Sequence, residues 1–198
     1  MSNTNIWYKT LITENLVDII EQEISQVQSK FQVSQTSGGV NLKVRDSENT
    51  WLPDHHWIAG LCYHYVLMAN RDNFLYDIDH FSGRSLQYTS YSEGEYYNWH
   101  NDANIEVLDT LPENIHERYV VENSQKIRKL SLILQLSDPD DYEGGEVQFM
   151  NSSGKSFFAP KTRGTILVFD SRTMHRVKKV TSGNRKSIVA WVEGPRWK

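Results

Sequence analysis

Residues Leu130-Ser131-Leu132-Ile133-Leu134-Gln135-Leu136 place a leucine at every second position. On a strand, Leu130, Leu132, Leu134 and Leu136 share one face and Ser131, Ile133 and Gln135 the other. An all-leucine face needs a covering layer, and the helices of the chain are the expected cover. The opposite face carries a serine and a glutamine, and the face of Arg185, Ser187, Val189 and Trp191 on a later strand is too polar for an ordinary sandwich core. Residues 185–193 repeat the design, with Ile188, Ala190, Val192 and the stem of Lys186 on one face and Arg185, Ser187, Val189 and Trp191 on the other. Gln87, Thr89 and Tyr91 give an earlier strand a similar polar face. Three strands with apolar backs and polar fronts predict a barrel whose mouth holds a polar ligand.

The rest of the chain supplies that back layer and completes the barrel. Thr13 caps an expected helix over residues 14–30, with Leu16, Ile19, Ile20, Ile24 and Val27 in one stripe alongside Glu23. Residues 32–49, polar and centred on Gly38-Gly39, read as a loop or weak hairpin. Pro53-Asp54 opens a second expected helix to Asn70, with Asp54 as N-cap and Trp57, Ile58, Leu61, Cys62, Tyr65 and Met68 as its apolar face. From Arg84 onward the pattern changes to short β-rich runs broken by Gly, Asp, Asn and Ser. Strands are expected at residues 85–91, 96–101, 129–136, 146–150, 156–159, 165–169, 175–180 and 185–193. The predicted fold is mainly β with flanking helices: a jelly roll over residues 84–198, braced by helical N-terminal support over residues 1–83, in one domain spanning 1–198. The polar, acidic segment 103–125 is either a substrate loop or a surface insertion.

At 198 residues and 23.1 kDa the chain can bury one sizeable core. A net charge of -4 gives no electrostatic reason to expect nucleic-acid binding. No apolar run approaches the roughly 18 residues of a membrane span, and residues 1–9 lack the pattern of a secretory signal, so a soluble cytoplasmic protein is expected. The lone Cys62 has no internal disulfide partner and reads as a buried structural thiol.

His100 and Asp102, two apart on an expected strand end, point the same way and can hold one ion together. Such a triplet alone is unsurprising by chance. A third ligand must come from elsewhere, and His175, at the start of a late strand ten residues before Arg185, is the candidate. Two imidazoles and one carboxylate leave positions on a divalent ion open, the arrangement that non-haem Fe(II) oxygenases use. His55, His56 and His64, in or beside the second helix, form no metal motif, and His80 and His116 read as exposed. Gly144-Gly145 reads as a tight turn, and Asp170 as a residue that either fixes its own turn or orients His175.

These pieces resemble the 2-oxoglutarate and Fe(II)-dependent dioxygenases, in particular the prolyl-4-hydroxylase-like branch in its bacterial and phage forms. The resemblance rests on Tyr91-Ser-Glu-Gly94 leading to His100-x-Asp102, Arg128-Lys-Leu-Ser131, Asp141-Tyr-Glu-Gly-Gly-Glu146, and His175 with Arg185-x-Ser187 and Trp191. It covers residues 86–191. It implies a double-stranded β-helix (jelly roll) and an iron site of His100, Asp102 and His175, with Arg185 as the fourth catalytic residue. Arg185 would take the distal carboxylate of 2-oxoglutarate in planar, paired hydrogen bonds, with Ser187 and Tyr91 as further donors. Gln135 would face the same cavity, on a strand where some relatives carry a tyrosine, and Trp191 would form a pocket wall.

The implied activity is hydroxylation of a prolyl residue in a peptide or protein. Fe(II), 2-oxoglutarate and O2 would be required, succinate and CO2 released, and ascorbate able to sustain turnover by re-reducing the iron. The carboxylate of Asp102 favours hydroxylation over halogenation. Hydroxylation or demethylation of a free amino acid or other small molecule is the enzymatic alternative, and a non-catalytic jelly-roll binding module the alternative from another class.

Overall fold

The computed structural model describes residues 6–26, 32–33, 45–103 and 126–197. Segment 104–125, with His116, and most of the expected 32–49 loop lie outside the described residues. Fourteen strands and two α-helices follow in the order β1 (Ile6–Thr10), α1 (Glu14–Gln26), β2 (Gln32–Val33), β3 (Arg45–Asp46), β4 (Glu48–Pro53), α2 (Trp57–Ala69), β5 (Ser85–Tyr91), β6 (Tyr96–His100), β7 (Ile127–Gln135), β8 (Tyr142–Gly144), β9 (Val147–Met150), β10 (Ser156–Phe158), β11 (Thr165–Asp170), β12 (His175–Val177), β13 (Val180–Gly183) and β14 (Arg185–Gly194). A seven-stranded sheet of order β1-β11-β7-β14-β5-β4-β2 faces a five-stranded sheet of order β10-β9-β12-β6-β3, and β8 pairs with β13. All the pairings are antiparallel. These are the two sheets of a jelly roll, with both helices on the outer face of the larger one.

The leucine face lies where its alternation requires. Leu130, Leu132, Leu134 and Leu136 are fully buried in one cluster with Ile188, Ala190 and Val192 of β14 and with residues of both helices. Each such side chain contributes about 1.5–3 kcal/mol by leaving water. The helices meet this face through stripes turned from those expected. In α1, Val17, Ile20 and Ile24 are buried while Ile19 is exposed. In α2, Ile58, Ala59, Cys62, Val66 and Ala69 are buried, whereas Trp57 is exposed and Leu61, Tyr65 and Met68 pack at the margin. Small residues at the centre of α2 let its backbone approach the sheet, and the larger side chains spread to the flanks.

The N-cap of α2 is also displaced. His56 takes the extended conformation and its Nδ1 accepts from the Ile58 amide at 3.3 Å. Asp54, the expected cap, instead binds back to the start of β5: its amide donates to the Arg84 carbonyl at 2.9 Å, and its carboxylate pairs with the Arg84 guanidinium at 3.5 Å.

Strands β1 and β4 were not expected from the sequence. Both are short and polar on one side, and they gain their hydrogen bonds from the flanks of the large sheet, β1 from β11 and β4 from β5. The antiparallel contact of β2 with β4 matches the hairpin alternative for residues 32–49. The expected strand at 175–180 is two strands, β12 and β13, which belong to different sheets. Gly164 docks the N-terminal segment: its φ is +77°, and a Cβ there would stand 2.0 Å from the Ile12 carbonyl oxygen. Among the described residues no helix is long and apolar enough to cross a membrane.

Candidate metal centre

Facing strands bring His100 and His175 together. Strand β12 pairs antiparallel with β6, and His175 stands directly opposite His100, their ring centroids 4.1 Å apart. Just past β6 the chain turns inward, because the Asp102 and Ala103 amides both donate to the Ser171 carbonyl, at 2.8 and 3.0 Å. That turn sets Asp102 Oδ1 at 3.6 Å from His100 Nε2 and Oδ2 at 3.5 Å from His175 Nε2. One ligand atom from each of the three residues lies within 4.8 Å of the other two, and no other group of three or more His, Cys, Asp and Glu among the described residues is so placed.

The supporting contacts fix the orientation of each of the three side chains. His100 Nδ1 donates to the Asn98 carbonyl at 2.7 Å and His175 Nδ1 to the Thr173 carbonyl at 2.9 Å. A carbonyl can only accept, so both rings carry a proton on Nδ1 and turn Nε2 toward Asp102. Tyr97 stacks on His100 with centroids 3.5 Å apart, and Phe169 meets the edge of His175 at 4.8 Å. Burial pushes the Asp102 carboxyl up, but the two imidazoles, the Ser131 hydroxyl and the neighbouring Trp191 indole outweigh it and hold the carboxyl below its ordinary range. A cleft over the three residues is walled by Gln87, Tyr91, Ile133, Val189 and Trp191. The Arg128 guanidinium lies 4.3 Å above the Trp191 ring at its margin.

Deeper in the barrel, Arg185 is only 1% exposed. Its Nη2 donates to Gln135 Oε1 at 2.8 Å and its Nη1 to Ser187 Oγ at 3.4 Å, while its Nε has no hydrogen-bond partner. No carboxylate of the described residues pairs with it. Tyr91 presents its ring to the guanidinium at 5.6 Å. Gln135 is held at both ends: one Nε2 hydrogen goes to the Pro160 carbonyl at 3.3 Å and its Oε1 accepts from Arg185, so its first role is to hold the guanidinium.

Several contributors have roles that only the structure shows. Ser131 was assigned to the cavity face of its strand without a role, yet its hydroxyl donates to Asp102 Oδ2 at 2.7 Å. Ser171 and Thr173 act through backbone carbonyls, which residue identity does not announce. Tyr142 is buried beside Arg185: a Cβ added at Gly145 would meet Arg185 Cδ at 3.1 Å and Tyr142 Cε2 at 3.2 Å. Burial pushes the Tyr142 phenol up, and the Arg185 cation pulls it the other way. Asp170 takes the turn role, binding Arg172 and accepting from the Tyr76 hydroxyl at 2.7 Å.

Comparison with known proteins adds to this geometry. A PKHD-type hydroxylase of Colwellia psychrerythraea (strain 34H) is 37% identical over 81 residues, 41% of this chain and 36% of that protein. One from Xylella fastidiosa (strain M12) is 28% identical over 148 residues, 73% of this chain and 60% of its relative. The chain thus spans less than two thirds of the length of these curated relatives. Among solved structures, a Pseudomonas putida prolyl-4-hydroxylase shares the fold with a TM-score of 0.70 at 16% identity, covering 98% of this chain and 95% of that one. The carbocyclase SnoK of nogalamycin biosynthesis shares it with a TM-score of 0.66 at 11% identity, covering 96% and 79%. The family model of the 2OG-Fe(II) oxygenase superfamily matches residues 86–193, more than half the chain and the stretch that carries His100, Asp102, His175 and Arg185, and the protein belongs to that superfamily.

Proposed function

We propose that this chain is an Fe(II)- and 2-oxoglutarate-dependent dioxygenase that hydroxylates a prolyl residue in a peptide or protein. His100, Asp102 and His175 would hold the iron, and Arg185 the distal carboxylate of 2-oxoglutarate. The observation that carries this reading is Arg185: a permanently charged side chain, sealed from water, with one N–H unpaired and no carboxylate partner. A buried cation of that kind is costly until an anion reaches it, and a dicarboxylate anchored at the metal supplies one. The donor set fits as well, since two neutral imidazoles and an ionised carboxylate suit a divalent ion.

Bound iron and 2-oxoglutarate supply the oxidation, in which O2 is consumed, 2-oxoglutarate is cleaved to succinate and CO2, and one oxygen atom passes to the substrate. The chain's own residues bind, aim and exclude water. Asp102, held ionised by its neighbours, offsets charge at the metal. Gln135 and Ser187 keep the Arg185 guanidinium in one orientation, so that the co-substrate has a single fit. Ile133, Phe169 and Val189 line the cleft with hydrocarbon and limit water around the reacting atoms. Tyr97 and Trp191 stand at the cleft, where the apolar face of a proline ring can pack on their aromatic surfaces.

The prolyl assignment is supported by the names of structural neighbours, including a Trichoplax adhaerens prolyl hydroxylase in complex with a hypoxia-inducible factor peptide fragment, TM-score 0.67 at 16% identity. Anaerobic addition of Fe(II) and 2-oxoglutarate should give a weak visible charge-transfer band, and its absence together with absent binding would favour a non-catalytic module. Succinate release with a proline-containing peptide library, read by mass spectrometry of the products with and without ascorbate, tests the substrate. Turnover with free amino acids or methylated small molecules, and none with peptides, would replace the prolyl reading.

A further inference from the structure

We propose that Ser171 and Ser131 form a buried hydroxyl relay that keeps Asp102 a one-oxygen ligand, and so preserves the open metal positions that the co-substrate and oxygen need. This inference rests on the reading of Asp102 as a metal ligand.

The direction of the relay follows from proton counting. An ionised carboxylate has no hydrogen to give, so in the 2.7 Å contact between Ser131 Oγ and Asp102 Oδ2 the serine must donate. Ser131 has then spent its only proton, and in its 3.0 Å contact with Ser171 Oγ the second serine must donate. Both serines are fully buried, so water does not compete for either hydroxyl. Consecutive hydrogen bonds of one direction reinforce each other in a low-dielectric site.

The relay is built on two strands and one turn. Ser131 stands opposite Phe169 of β11 on one side and Trp191 of β14 on the other, in the middle of the large sheet, where its Cα cannot shift without breaking both pairings. Ser171 is tied to the same sheet, its amide donating to the Lys129 carbonyl at 3.1 Å. Its own carbonyl receives the Asp102 and Ala103 amides. Ser171 therefore fixes the backbone of Asp102 through its carbonyl and the side chain through Ser131. The Ser131 hydrogen bond at Oδ2 pins the carboxylate plane and leaves Oδ1, which faces His100 Nε2 at 3.6 Å, as the oxygen for the ion. Released from Ser131, the carboxylate could rotate about its last bond and place both oxygens on the ion. That second oxygen would take a position that a chelating co-substrate or oxygen requires.

The test uses Ser131→Ala, Ser131→Thr and Ser171→Ala in the full chain, loaded anaerobically with Co(II) or Fe(II). The expected result for Ser131→Ala is a changed Co(II) ligand-field spectrum before any co-substrate is added, and a 2-oxoglutarate dissociation constant raised about tenfold or more, the usual scale for losing a partner of a metal ligand. Ser131→Thr, which retains the hydroxyl, should restore both readings, and Ser171→Ala should shift both in the direction of Ser131→Ala but less. Thermal midpoints taken alongside separate this from simple loosening, which would not restore a spectrum on return of the hydroxyl. A wild-type spectrum and affinity in folded Ser131→Ala would overturn the relay. If Ser131→Ala does not fold, an unchanged spectrum in Ser171→Ala overturns it instead. Failure of wild type to bind either metal would sink the underlying site, a result distinguishable from failure of the relay alone.

Discussion

Gln135 and Arg185 are joined by a buried 2.8 Å hydrogen bond in which the amide oxygen accepts from Nη2, while the amide nitrogen of the same glutamine donates to the Pro160 carbonyl. A neutral residue thus aims the cation without neutralising it, leaving the charge for a guest. Gln135→Glu would place a carboxylate against the guanidinium and satisfy it internally. The apparent affinity for 2-oxoglutarate should fall about tenfold or more, with thermal stability retained. Arg185→Ala should weaken the same affinity about a hundredfold or more, the scale of a lost buried charge partner. Anaerobic titration of the charge-transfer band measures both, and unchanged affinity in either variant would refute the role given to that residue.

His175→Ala removes the proposed metal ligand whose ring is held by one carbonyl and flanked by Phe149 and Phe169. Iron-dependent turnover should vanish while the circular dichroism spectrum stays close to that of wild type, because the variant leaves both sheet pairings of β12 intact. Full activity would take His175 out of the site.

Asp170 links pH to stability. Burial raises its carboxyl, but Arg172 and the Tyr76 hydroxyl more than offset that, and the folded value lies below the ordinary one. A group with a depressed folded pKa contributes stability that is complete above its unfolded value of about 3.9 and is lost as pH falls through the folded value. Asp170→Asn should therefore lower the thermal midpoint at pH 7 and flatten the loss of stability between about pH 4 and the folded value. Equal slopes in the two proteins would remove Asp170 from the acid response.

Arg163 binds three carboxylates of α1, Glu14 at 2.6 Å, Asp18 at 2.8 Å and Glu21 at 2.8 Å, and its Nε donates to the Leu136 carbonyl. Its own side chain is 13% exposed, while Glu14 and Asp18 are two-thirds exposed, so solvent screening holds each of those two pairs to well under 1 kcal/mol. Arg163→Ala should cost about 1–2 kcal/mol, chiefly through Glu21 and the lost carbonyl contact. A double-mutant cycle with Glu21→Ala in urea unfolding would show coupling if the pair contributes and additivity if it does not.

Cys62 is fully buried in α2 against the leucine face, and burial pushes its thiol up to about 12. It should resist alkylation at pH 8 in the folded protein and react at once in denaturant. Rapid labelling of the native state would contradict its packing.

Strand alternation was the most legible property of the chain. Leu130 through Leu136 declared two faces, and the structure puts helices on one and the cleft on the other, because a period of two is a local property that any covering layer must respect. His100 and Arg185 were readable for a related reason, since each falls on the cavity face of a strand and a cation on a polar cavity face needs a guest; Asp102 lies past the end of β6, where the Ser171 carbonyl sets its inward turn. The helix stripes were less legible. Trp57 and Ile19 look like core residues in isolation, yet they face outward, since α2 meets the sheet through Ala59, Cys62 and Ala69 and α1 through Val17, Ile20 and Ile24. Strands β1 and β4 were hidden because their hydrogen bonds are lent by neighbours distant in sequence.

By itself the sequence indicated a jelly roll through strand periodicity, and its resemblance to the 2-oxoglutarate and Fe(II)-dependent dioxygenases singled out His100, Asp102, His175 and Arg185. The tertiary structure alone decided which atoms support them. The Ser171 carbonyl under Asp102, the Ser131 hydroxyl on its oxygen and the two-ended hold of Gln135 on Arg185 and Pro160 depend on register between strands tens of residues apart. Contacts of that kind are set when the sheets close, and no local pattern encodes them.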